Sequence, residues 1–88
     1  MKIKSNFLLK HNEFGASVIR TDAENEKVDV SLSNEHFVFL WNYLSQNEST
    51  KEQLLNALLD KFDISTVLAL NDIDIFLKQL NKNGILEI

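Results

Sequence analysis

The chain has 88 residues, 44% of them hydrophobic and 25% charged, which suits one small globular domain, excludes a two-domain enzyme and disfavours a deeply enclosed active site. Thirteen acidic against nine basic residues give a net charge of -4, and Arg20 is the single arginine, so a phosphate-binding surface built on clustered Lys and Arg is disfavoured. With no cysteine, a disulfide framework, a thiolate metal site and a cysteine nucleophile are all ruled out.

The opening stretch, Met1 to Asn6, lacks the apolar core of a signal peptide. The longest apolar run, Phe37 to Trp41, is far below the roughly 20 residues that span a bilayer. A cytoplasmic protein without a membrane segment is therefore expected.

Phe7 to His11 and Ser17 to Thr21 read as strands joined by a turn at Asn12-Glu13-Phe14-Gly15. Asp22 to Glu26 is a polar acidic loop, a solvated turn or a means of steering a basic partner. Lys27 to Leu32 alternates at period two, so Val28, Val30 and Leu32 are expected to face a core while Lys27, Asp29 and Ser31 face away. Strands are thus expected over about residues 5 to 32, as a three-stranded antiparallel meander with this last strand at an edge.

From Ser33 the period becomes helical. Phe37, Leu40, Trp41 and Leu44 form one apolar face, with Ser33 or Asn34 as N-cap and an end near Gln46. Ser49 or Thr50, with Glu52 or Gln53 three places on, has capping-box spacing ahead of Leu54, Leu55, Leu58, Leu59 and Phe62. A third helix follows Ser65 and runs to Asn83, with Gly84 as its left-handed terminator and Ile85 to Ile88 as a short extended tail. The expected fold is α+β over residues 1 to 88 as a single domain. An N-terminal three-stranded antiparallel sheet precedes a three-helix, winged-helix-like bundle spanning about residues 34 to 83.

The third helix has two unequal faces. Leu70, Ile73, Phe76, Leu77 and Leu80 share one arc and are assigned to the core. Ile75 falls elsewhere, in a stripe with Leu68, Asp72, Gln79 and Lys82, and is either a lone exposed isoleucine or part of a binding groove. Catalytic signals are thin. His11 and His36 have no third ligand at metal spacing, no phosphate loop is present, and Asp72 and Asp74, two apart on a helix, point in different directions as solvated surface groups. No enzyme, catalytic residue, metal or cofactor is expected.

Leu32-Ser33-Asn34-Glu35 through Leu40-Trp41, then Glu52 to Phe62-Asp63-Ile64, and finally Asp72, Phe76, Leu77, Leu80, Gly84, Ile85 and Leu86 resemble the PqqD family, small proteins of pyrroloquinoline quinone biosynthesis. The last set fits the family pattern D-x-x-x-F-L-x-x-L-x-x-x-G-[IL]-L, and Ser33 stands where the family often has Asn. The resemblance covers about residues 5 to 88. It implies a non-catalytic peptide-recognition module, which captures the leader segment of a ribosomally made precursor peptide as an added strand and presents it to a modifying enzyme. That enzyme is often a radical SAM protein; a leader peptidase is another candidate.

Two features of the residues meet this implication. Lys27 to Leu32 offers a strand edge of the kind proteins protect unless it is used, and Leu68, Asp72, Ile75 and Gln79 give a partly apolar helix face. The expected peptide-binding residues are therefore Val28, Asp29, Val30, Ser31, Leu68, Asp72, Ile75 and Gln79, with Asp72 meeting a basic leader residue. Two other readings stay open: a winged-helix DNA-binding regulator, which the scarcity of basic residues opposes, and a structural subunit that pairs with itself. The protein is a monomer or a homodimer.

Overall fold

The computed structural model describes residues 1–12, 15–21, 27–31 and 34–87, with 12, 15 and 27–31 described by their backbone. The elements in chain order are β1 (Lys2–Ile3), β2 (Phe7–Asn12), β3 (Gly15–Arg20), β4 (Lys27–Ser31), α1 (Glu35–Gln46), α2 (Lys51–Lys61), α3 (Thr66–Lys82) and β5 (Leu86–Glu87). No helix among the described residues is long and apolar enough to cross a membrane.

The meander is antiparallel with strand order β2-β3-β4. Pairing of β2 with β3 is regular from Phe7 opposite Arg20 to Asn12 opposite Gly15. Between β3 and β4 the register slips, Ser17 facing Ser31 but Ile19 facing Lys27, the signature of a bulge, which bends and twists an edge strand. Residues 13 and 14 of the expected turn, the acidic loop Asp22 to Glu26, Leu32, and the expected facing of Val28 and Val30 lie outside the described residues.

The expected single sheet is not the whole of the β-structure. A second, two-stranded sheet pairs β1 with β5 antiparallel, Lys2 opposite Glu87 and Ile3 opposite Leu86, and the Lys4 amide extends it by donating to the Ile85 carbonyl at 3.0 Å. Strand assignment from residue 5 onward therefore missed β1, whereas the expected extended C-terminal segment is present as β5, with β1 as its partner. Strands of two residues are too short to carry a readable alternation. What holds β5 in place is Ile85, fully buried, just after Gly84 turns the chain at φ 68°.

The helix ends follow local chemistry. Asn34 caps α1, its side chain accepting from the His36 amide at 2.8 Å. Thr50 and Gln53 form a reciprocal capping box at α2, with bonds of 2.8 and 3.2 Å. The Ser65 hydroxyl accepts from the Leu68 amide at 3.2 Å to start α3. Ser49, the alternative cap for α2, is buried instead, its hydroxyl donating to the Asn47 carbonyl and its amide to the Met1 carbonyl.

One core joins these elements: Phe7, Ala16 and Val18 from the meander, Leu40, Trp41 and Leu44 from α1, Leu54 and Leu58 from α2, Ala69, Ile73, Phe76 and Leu80 from α3, and Ile85. Each large side chain removed from water contributes about 1.5 to 3 kcal/mol. On α3 the buried arc is rotated from the expected one: Leu70 and Leu77 are only partly buried, whereas Ala69 and Asp72 are buried. Alanine carries little weight in a hydrophobic periodicity and a carboxylate carries the opposite sign, so neither registers as core.

Candidate functional site

Two surfaces have the chemistry to bind an extended chain. The first is β4, the outer strand of the meander, which pairs only with β3 among the described residues. An outer strand presents a row of N–H and C=O groups along its free side, a template for another extended chain. Val28, Asp29, Val30 and Ser31 lie within it.

The second surface is the exposed stripe of α3. Leu68 is 45% and Ile75 41% exposed, and on a helix residues seven apart share a face. Ile75, Lys78, Gln79 and Lys82 line a hollow of about 230 Å³. Gln79 contributes a buried amide oxygen with no hydrogen-bond partner among the described residues, an arrangement costing on the order of 1 to 3 kcal/mol until a donor is met.

Asp72 departs from its expected place. Rather than a solvated group facing a basic ligand, it is 8% exposed, with Oδ2 at 2.7 Å from Nδ1 of His36. It sits where the stripe borders the core, and the first turn of α1 covers it. The His36 ring in turn stands edge-on to Phe62, with centroids 4.5 Å apart. Asp74 is exposed as expected and forms an ion pair with Lys51 of α2. Both carboxylates of α3 are thus engaged, and its remaining charged groups, Lys78 and Lys82, are exposed with no ion pair among the described residues. The charge that α3 offers to a ligand is positive, not negative.

A further hollow, of about 520 Å³, lies between α1 and α2 and is lined by Phe39, Tyr43 and Ala57 among more polar neighbours. The sequence carried one sign of it, Phe39 and Tyr43 four apart and off the core stripe. Although the larger of the two, it is lined by no unsatisfied polar atom among the described residues, the feature that singles out the hollow on α3.

A family model described as coenzyme PQQ synthesis protein D (PqqD) matches residues 33–86. No curated protein matches the chain. Among solved structures, the fold is similar to that of TbiB1 in complex with the TbiA(β) leader peptide, at 17% identity and a TM-score of 0.73 over 99% of this chain and 95% of that one. It is also similar to lasso peptide synthetase B1 complexed with the leader peptide, at 13% identity and a TM-score of 0.66 over 96% of this chain and 93% of that one.

Proposed function

This chain belongs to the PqqD family, and from that premise we propose that it is a non-catalytic module that captures the leader segment of a ribosomally made precursor peptide and presents it to a modifying enzyme. The leader adds as a strand to the outer edge of β4, over Val28, Asp29, Val30 and Ser31, and lays side chains against Leu68, Ile75 and Gln79 of α3. Asp72 serves this wall from behind, through His36. The whole of residues 1 to 88 acts as a single, winged-helix-like domain in the cytoplasm, and the enzyme served is a radical SAM protein or a leader peptidase.

The observation that carries the reading is the position of β4. It is the outer strand of its sheet, and the C-terminal segment that could have covered it pairs with β1 instead. Both similar solved structures hold a leader peptide, in keeping with this use of the fold.

Magnitudes explain why strand and helix are both required. A backbone hydrogen bond contributes about 0.5 to 1.5 kcal/mol net, while ordering a flexible peptide costs about 1 to 2 kcal/mol per residue. Strand pairing alone therefore binds weakly. One or two leader side chains buried against Leu68 and Ile75, at roughly 1.5 to 3 kcal/mol each, supply the surplus and the selectivity.

The test is an amide-resolved titration of the isotope-labelled protein with leader peptides encoded beside its gene. Shifts concentrated in residues 27–31 and along the exposed face of α3 are expected; unchanged signals in residues 27–31 exclude the reading. The DNA-binding alternative is not favoured, since two lysines on α3, in a chain of net charge -4 with a single arginine, neutralise too few phosphates to bind a duplex firmly.

A further inference from the structure

The hollow on α3 combines one apolar side chain with two cations that form no ion pair among the described residues. Ile75 is partly exposed; Lys78 and Lys82 border the same space. Of the carboxylates on this helix, Asp72 is buried against His36, and the exposed Asp74 is neutralised by its ion pair with Lys51. A chain of net charge -4 therefore presents a locally positive surface at this one face of α3.

From this we propose that the peptide bound here carries an acidic side chain two positions from an apolar one, the apolar residue packing on Ile75 and the carboxylate lying between Lys78 and Lys82. The proposal rests on the reading that one extended peptide both pairs with β4 and lies along α3. The spacing follows from geometry. At about 1.5 Å of rise per residue, Lys78 and Lys82 lie roughly 4.5 and 10.5 Å along the helix axis from Ile75. Two residues of extended chain span about 6.6 Å and return a side chain to the same face, which sets the acid between the two ammonium groups. Lysine ammoniums are mobile point charges on long stems, so both reach a carboxylate placed there.

The expectation is opposite to that of a peptide chosen by Asp72, which would be basic at this position. Charge complementarity of this kind governs selectivity and association rate more than total affinity, and it weakens as salt rises.

The test uses fluorescent peptides of one extended background containing Leu-x-Asp, Leu-x-Asn or Leu-x-Lys in either chain direction, titrated against the full chain and against the double variant Lys78→Glu/Lys82→Glu. Both lysines are exposed, and folding of the variant is checked by circular dichroism. The expected result is a Leu-x-Asp peptide binding at least fivefold more tightly than Leu-x-Asn, a preference reversed toward Leu-x-Lys in the double variant and diminished by added salt. Peptides that shift the amides of residues 27–31 but bind with equal affinity whatever the charge overturn this inference and leave the strand-addition reading standing. Peptides of every charge that leave those amides unmoved overturn both.

Discussion

His36 Nδ1 lies 2.7 Å from Oδ2 of Asp72, tying the first turn of α1 to the middle of α3. A carboxylate can only accept, so with Asp72 ionised the ring donates from Nδ1. Both side chains are about seven-eighths shielded from water, at 15% and 11% exposure, where a hydrogen bond to a charged group contributes roughly 1.5 to 3 kcal/mol. The pair fixes the orientation of α3, and with it the stripe bearing Leu68 and Ile75.

Replacing Asp72 with alanine is expected to lower the unfolding free energy by about 1.5 to 3 kcal/mol, read from urea denaturation. Asp72→Asn, which keeps a hydrogen-bond acceptor of the same shape, loses less. Neither variant changes the relative preference for basic over neutral leader peptides, because the carboxylate does not face the ligand. A selective loss of basic peptides in Asp72→Asn returns Asp72 to the binding surface.

Ile75→Asp separates binding from folding. The side chain is 41% exposed, so unfolding free energy stays within about 0.5 kcal/mol of the parent. Affinity for a leader peptide falls by fivefold or more, since the part of Ile75 still exposed yields about 1 kcal/mol when covered. Calorimetric titration beside thermal melts checks both halves. An equal loss of helical signal and binding places Ile75 in the core instead.

The helices were legible in the sequence because their signals are local: Asn34, Thr50 with Gln53, and Ser65 cap as spacing suggests. The meander was legible through alternation and turn residues. The β1–β5 pair was not, for two residues at each end of the chain form it and nothing local specifies such a distant partner. The site was half legible. The edge position of β4 and the exposure of Ile75 follow from period, whereas the burial of Asp72 depends on His36, 36 positions away. The D-x-x-x-F-L-x-x-L-x-x-x-G-[IL]-L pattern proves mostly architectural here: Phe76, Leu80 and Ile85 are core, Gly84 turns the chain, and Asp72 anchors α1.

Gly84 provides a test of that architecture. Its φ of 68° lies in the left-handed region, and an added Cβ meets nothing within 4 Å, so Gly84→Ala carries only the backbone penalty of about 1 to 2 kcal/mol. For a domain of this size each kcal/mol lowers the melting temperature by roughly 4 to 8 °C. Gly84→Asn, which tolerates this conformation better, melts between parent and alanine variant. Identical melting of all three shows that the chain leaves α3 by another turn.

Gln79 is where stability and binding are expected to part. Its amide oxygen is buried without a partner among the described residues, while its backbone carbonyl remains engaged by Asn83, whose side chain donates to it at 2.9 Å. Gln79→Met keeps the length of the side chain, removes the unsatisfied acceptor and leaves that backbone contact in place. Removing a buried polar group that has no bond to lose is neutral or stabilising, so unfolding free energy is unchanged or rises by up to about 1 kcal/mol. Leader affinity falls by roughly twofold to tenfold, because the amide that would turn toward a peptide N–H is gone, a net bond of about 0.5 to 1.5 kcal/mol. Denaturation and titration of the same preparation decide the matter. A variant less stable than the parent by more than 1 kcal/mol, with unaltered affinity, means that the amide is satisfied within the fold and takes no part in recognition.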